Sequence, residues 1–128
     1  MTRINCLPVS ELHDKHLIAE YRELPRIFTL VTKAVQDDRI NNILIPSNYL
    51  LGSGHCYFFY NKLSYLADRH IDLVCEMENR GFNPTFKNKL SDVYNDLPSE
   101  LWNNWTPDSE AIKCNTERIN QRLKTMKK

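Results

Sequence analysis

Residues 15–35 read KHLIAEYRELPRIFTLVTKAV, a run of helical length whose charged and apolar residues separate onto opposite sides. At about 100° per residue, Lys15, Arg22, Arg26 and Lys33 fall within roughly 20° of one line along the axis. This is a basic stripe. Leu17, Tyr21, Leu24, Phe28, Val31 and Val35 project to the other side, which predicts a helix packed by that face against the rest of the chain. His16 and Glu23, seven residues apart and nearly superimposed in projection, lie at the edge of the stripe. A carboxylate one residue from Arg22 and three from Arg26 is either an ion-pair partner or a working group in a cationic groove.

A solvated charged face is the ordinary reading of such a stripe. Against it, neither Glu20 nor Glu23 stands four residues before a Lys or Arg of the stripe, the spacing that best supports a helical ion pair, so the cations are left available for phosphates. Pro25 removes a backbone donor inside the run, and a kink is expected there that would make the stripe concave.

The 128 residues suffice for one domain, residues 1–128, with one modest core. Hydrophobic residues at 41% and aromatics at 10% indicate a folded rather than a disordered chain. A net charge of +1 excludes a polycation, so any nucleic-acid argument rests on where the charge sits. It sits unevenly: residues 109–128 hold six Lys and Arg against two Glu. There is no apolar run near the ~20 residues of a membrane span and no basic-then-apolar leader pattern, so a cytoplasmic chain without membrane contact is expected. Cys6, Cys56, Cys75 and Cys114 lack zinc-ligand spacing and are read as reduced thiols, with no metal.

The second residue is chemically suggestive. Initiator methionine is generally removed before a small residue such as Thr2, which would expose an α-amine of ordinary pKa near 7.7–8.0. A useful fraction of it is an unprotonated nucleophile at neutral pH, able to form an imine with an electrophilic carbon. Many chains begin Met-Thr for no chemical reason. Arg3 adds a phosphate-binding candidate.

Ser10 or Asp14 can cap the first helix. Residues 36–56 read as a long turn-rich connection, broken by Pro46, Gly52 and Gly54. A second helix is expected from Tyr57 to Arg80, with Phe59, Leu63, Leu66, Leu73 and Met77 facing the core and His70 among them as a hydrogen-bonded core histidine. Gly81 and Phe82 make its stop signal. After an irregular section in which Trp102 and Trp105 read as packing residues, Pro107 marks the first turn of the last helix, with Ile112, Ile119, Leu123 and Met126 as its core stripe and Arg118 and Arg122 to one side. The architecture expected is all-α: a compact single domain of three main helices joined by long irregular connections.

MTRIN at the start, SELHDKHLIAEYRELPRIF after it, and then LLGSGHCYFFYNKLSYL and NRGFNP closely resemble the pyrimidine-dimer DNA glycosylases of the phage endonuclease V type. The similarity is strongest up to about Phe82 and stays alignable through the last helix. It implies an all-α, bifunctional DNA N-glycosylase and AP lyase that cuts the glycosidic bond of a cyclobutane pyrimidine dimer and then nicks the abasic strand. It further implies Thr2 as the nucleophile through its α-amine, Glu23 as the catalytic carboxylate, and Arg3, His16, Arg22, Arg26, Arg118 and Arg122 as DNA-binding residues, to which the basic stripe adds Lys33. The partner implied is double-stranded DNA carrying dimers or abasic sites, met by a monomer without metal or organic cofactor. One departure is the C-terminal run RLKTMKK, basic where the family's best-known member carries an aromatic-rich tail important for dimer recognition.

A non-catalytic helical DNA-binding module would need only the stripe and the C-terminal cations. Glu23 separates the two readings, because a carboxylate in a phosphate groove opposes binding and makes sense mainly if it does chemistry.

Overall fold

The computed structural model describes residues 4–49 and 54–126. Five α-helices carry the chain: α1 (Asp14–Gln36), α2 (His55–Phe58), α3 (Leu63–Asn79), α4 (Leu90–Val93) and α5 (Ser109–Met126), with single 3-10 turns at Val9–Glu11, Ile40–Asn42 and Ser99–Leu101. Among the described residues there is no strand, and the all-α expectation with three long helices holds. No described helix is long and apolar enough to cross a membrane.

α1 buries Leu17, Leu24, Ile27, Phe28, Val31 and Ala34, and with them Glu20. This face packs on Leu63, Leu66, Leu73 and Met77 of α3 to form the core. Tyr21 and Val35, expected on that face, lie at its margins and are only half-buried. The helix cap is neither Ser10 nor Asp14. His13 takes the position, its Nδ1 accepting the Lys15 N–H at 3.1 Å, while Ser10 belongs to the preceding 3-10 turn.

Both long core helices end in the same device. At the end of α1, Arg39 N–H reaches back to Ala34 O (2.8 Å) and Asp38 N–H to Val35 O (3.1 Å), with Asp38 at φ 58°. At the end of α3, Phe82 N–H bonds Met77 O (2.8 Å) and Gly81 N–H bonds Glu78 O (3.1 Å), with Gly81 at φ 90°. These are Schellman caps that satisfy the last free carbonyls, and the left-handed residue each requires is the reason for glycine at 81. Phe82 then folds back on the core, as its position after the glycine predicted.

The second helix is shorter than its periodicity suggested. Phe58, Phe59 and Tyr60 are all buried in succession, more than one helical face can bury, so the chain turns between α2 and α3. Lys62 stabilises that turn, its Nζ donating to Phe58 O at 2.9 Å and lying 3.9 Å from the centre of the Phe58 ring. Around the same point Trp105 stacks on Tyr49 (5.8 Å, 10°) and meets Phe58, Phe59 and Tyr65 edge-on. Trp102 packs on Phe28, so both tryptophans are packing residues.

α5 starts two residues after Pro107, not on it. Asp108 is its cap, with Oδ1 accepting the Ala111 N–H at 2.8 Å. Its inward face is Ala111, Asn115 and Ile119, whereas Ile112, expected in the core, is 41% exposed and Leu123 half-buried. The side chain of Met126 lies outside the described residues.

Candidate active site

α1 and α5 approach each other across the extended segment Ile4–Leu7 and leave a pocket of about 270 Å³. His16, Ala19, Glu20 and Glu23 form its α1 wall, Arg118, Ile119 and Arg122 its α5 wall, and Asn5 lies between. α1 runs unbroken through Pro25, and α5 walls the pocket beside Glu23 on the side facing α1.

The two carboxylates in the wall differ in kind. Glu20 is fully buried and neutralised: Arg69 Nε donates to its Oε2 at 2.7 Å, Arg69 NH2 to its Oε1 at 3.1 Å, and Asn5 Nδ2 to Oε1 at 2.9 Å. Burial would lower the Arg69 pKa, but the Glu20 charge and hydrogen bonds outweigh it, and the guanidinium is held above its ordinary value. Glu23, one turn on, is half-buried, and the cations of the wall are Arg118 and Arg122. It is thus the less buried of the two carboxylates in the wall.

His16 contributes a neutral imidazole. Burial first, then the nearby His13 and Arg122, push its pKa down, and its buried Nδ1 has no hydrogen-bond partner among the described residues. His70 does not have the satisfied hydrogen bond expected of it: it stacks on Tyr21 (5.6 Å, 19°) with Nε2 unpartnered among the described residues, and burial lowers its pKa.

Arg22 and Arg26 are exposed on the flank of α1. Helical geometry turns them about 100° and about 60° from Glu23 in the same sense, so they border the pocket's rim rather than line it. Lys33 is exposed in the last turn of α1, ten residues and about 15 Å along the axis from Glu23, and the structure does not bring it to the pocket. Thr2 and Arg3 lie outside the described residues.

The backbone of the segment that follows them is held by side chains. Ile4 N–H donates to His55 Nε2 (2.7 Å) and Ile4 O accepts from Tyr49 OH (3.0 Å). Asn5 O accepts from Tyr65 OH (3.5 Å), Cys6 and Leu7 N–H donate to Asn115 Oδ1 (2.7 and 3.3 Å), and Leu7 O accepts from Arg69. A buried extended chain without a strand partner must find such substitutes for a ladder. Cys6, which burial pushes up to about 11, is an inert thiol in this segment, and the four cysteines stand as free thiols.

Sequence reading missed Asn5, Glu20, Arg69 and Asn115. The available signal was a polar residue falling on an apolar stripe, Glu20 beside Leu17 and Leu24, and Arg69 beside Leu66 and Leu73.

The family model described as pyrimidine dimer DNA glycosylase matches residues 1–90, a span that includes the extended segment, His16 and Glu23 of α1 and all of α3, and stops short of α5. The chain belongs to the pyrimidine dimer DNA glycosylase family, and is a DNA repair glycosylase.

Proposed function

We propose that the chain, as a single domain acting as a monomer, cleaves the glycosidic bond of the 5′ base of a cyclobutane pyrimidine dimer through an imine with the Thr2 α-amine, then nicks the abasic strand by β-elimination. The observation that carries this reading is Glu23 in the wall of a pocket that also holds Arg118 and Arg122, beside a segment anchored from Ile4 onward. Two residues of chain span at most about 7 Å, so the Thr2 nitrogen works within that distance of the Ile4 nitrogen. With Met1 removed, that nitrogen is an amine.

The chemistry follows from those parts. The amine attacks C1′ of the sugar, the C1′–N bond to the base breaks with its electron pair leaving on the base, and loss of a proton from nitrogen with opening of the sugar gives an imine. The imine acidifies the C2′ proton, a base removes it, and the C3′–O bond breaks with the phosphate departing. Glu23 suits two of these needs, stabilising positive charge at the sugar and moving protons. Arg118 and Arg122 supply phosphate contacts within the pocket, and Arg22 and Arg26 continue them along the flank, with His16 at the lesion. No step requires a metal or organic cofactor. A dimer stacks and pairs poorly, so bending the duplex or extruding a nucleotide costs less there than in intact DNA, which favours the lesion without base-edge contacts.

Glu23→Gln tests the reading because it keeps shape and removes charge. Cleavage of a dimer-containing duplex is expected to fall on the order of 10²–10⁴-fold, the worth of one acid–base group, while binding to that duplex persists or tightens. Normal cleavage by the variant, or lost binding with the helical circular dichroism intact, would make Glu23 a structural residue.

A further inference from the structure

Asn115 lies on α5, beyond the span matched by the family, and is fully buried. It makes three hydrogen bonds, all to the extended segment: Oδ1 accepts from Cys6 and Leu7 N–H (2.7 and 3.3 Å), and Nδ2 donates to Asn5 Oδ1 (2.8 Å). Three and four residues further along the same helix stand Arg118 and Ile119 of the pocket wall. One helix face thus carries both an anchor for the N-terminal segment and a wall of the site. Asn5 completes the link, since its amide bonds Asn115 on one side and Glu20 on the other while lining the pocket.

We propose that Asn115 is a positioning residue for the reaction: it fixes the extended segment, and through it the α-amine of Thr2, relative to Glu23. The proposal rests on the reading of Thr2 as nucleophile. Asn115 does not touch the reacting atoms. Its effect is geometric, because attack requires an approach of about 3–3.5 Å and a displacement of about 1 Å can cost 10²-fold in rate. Asn115→Ala would leave the buried Cys6 N–H and the part-buried Leu7 N–H without their acceptor and free the segment to shift toward other partners. Tyr49 is a second anchor of the same kind, since its hydroxyl holds Ile4 O at 3.0 Å while its ring is fixed independently by Trp105.

The test uses full-length protein lacking Met1, with three readouts: the single-turnover rate at saturating dimer duplex, Kd for a duplex carrying a tetrahydrofuran abasic analogue, and thermal stability. Asn115→Ala is expected to slow the single-turnover rate about 10- to 100-fold, with Kd changed less than about threefold. Tyr49→Phe, which deletes one hydroxyl and keeps the ring, is expected to slow it several-fold, and decides the matter alone if Asn115→Ala does not fold. Leu90→Ala removes a fully buried side chain in α4, which contributes no bond to the segment, and controls for stability loss. It should leave the rate unchanged. With the borohydride-trapped adduct of the parent protein mapped to Thr2, parent-like rates in the two anchor variants, or an equal loss in Leu90→Ala, would overturn the positioning role alone. An adduct of the parent mapped to a lysine would overturn the amine reading and the positioning role together.

Discussion

Glu20→Leu offers a sharp test of how the pocket is built. The substitution leaves the Arg69 guanidinium, whose side chain is 7% exposed, with Leu7 O as its hydrogen-bond partner among the described residues, and strips the Asn5 Nδ2 of its acceptor there. Removing one member of a buried pair typically costs about 3–5 kcal/mol, because the other charge stays buried and uncompensated. A domain of this size is stable by roughly 5–15 kcal/mol, so the loss is a large share of the total. At about 3–5 °C per kcal/mol for a chain between the 100- and 150-residue cases, Tm should drop by about 9–25 °C. Urea unfolding at pH 7 followed by far-ultraviolet circular dichroism reads the change directly. The double variant Glu20→Leu, Arg69→Met, which removes both charges, should recover most of the loss, since an apolar replacement of a buried pair is often neutral or better. A single variant within about 1 kcal/mol of the parent, or a double variant no better than the sum of its singles, would refute the claim that the pair is a coupled, desolvated unit.

Arg22→Ala and Arg26→Ala should each weaken duplex binding and lower the slope of log affinity against log salt by about 0.9, one phosphate contact apiece; fluorescence anisotropy across a salt series measures both. His70 has its pKa depressed by burial, so the folded state binds fewer protons than the unfolded state as pH falls below the ordinary value of about 6.5, and stability must decline in that direction. His70→Phe should therefore shrink the difference in unfolding free energy between pH 7 and pH 5, as read from urea titrations at the two values.

The apolar faces of α1 and α3 were legible because each repeats at helical spacing, and the caps after α3 because glycine before an aromatic residue has few other uses. The break between α2 and α3 was not. It follows from burying Phe58, Phe59 and Tyr60 together, and a pattern of periodicity cannot say that three successive aromatics will all find the core. The cationic and carboxylate residues of α1 could be picked out from their spacing on one helix, whereas Arg118 and Arg122 were named only through the family resemblance, since they sit almost a hundred residues from Glu23 and only the packing of α5 brings them to it. The chain of Asn115, Asn5, Glu20 and Arg69 was the least legible part. Each is an ordinary polar residue in its own helix or segment, and their meaning lies in pairings 110, 15 and 49 residues apart.

Borohydride trapping on a dimer-containing duplex, followed by peptide mapping, reaches the central chemical claim most directly. Protein lacking Met1 should yield a covalent adduct on the Thr2 α-amine, and protein retaining Met1 should yield none. An adduct on a lysine, or one formed equally fast with Met1 in place, would contradict the N-terminal amine as nucleophile.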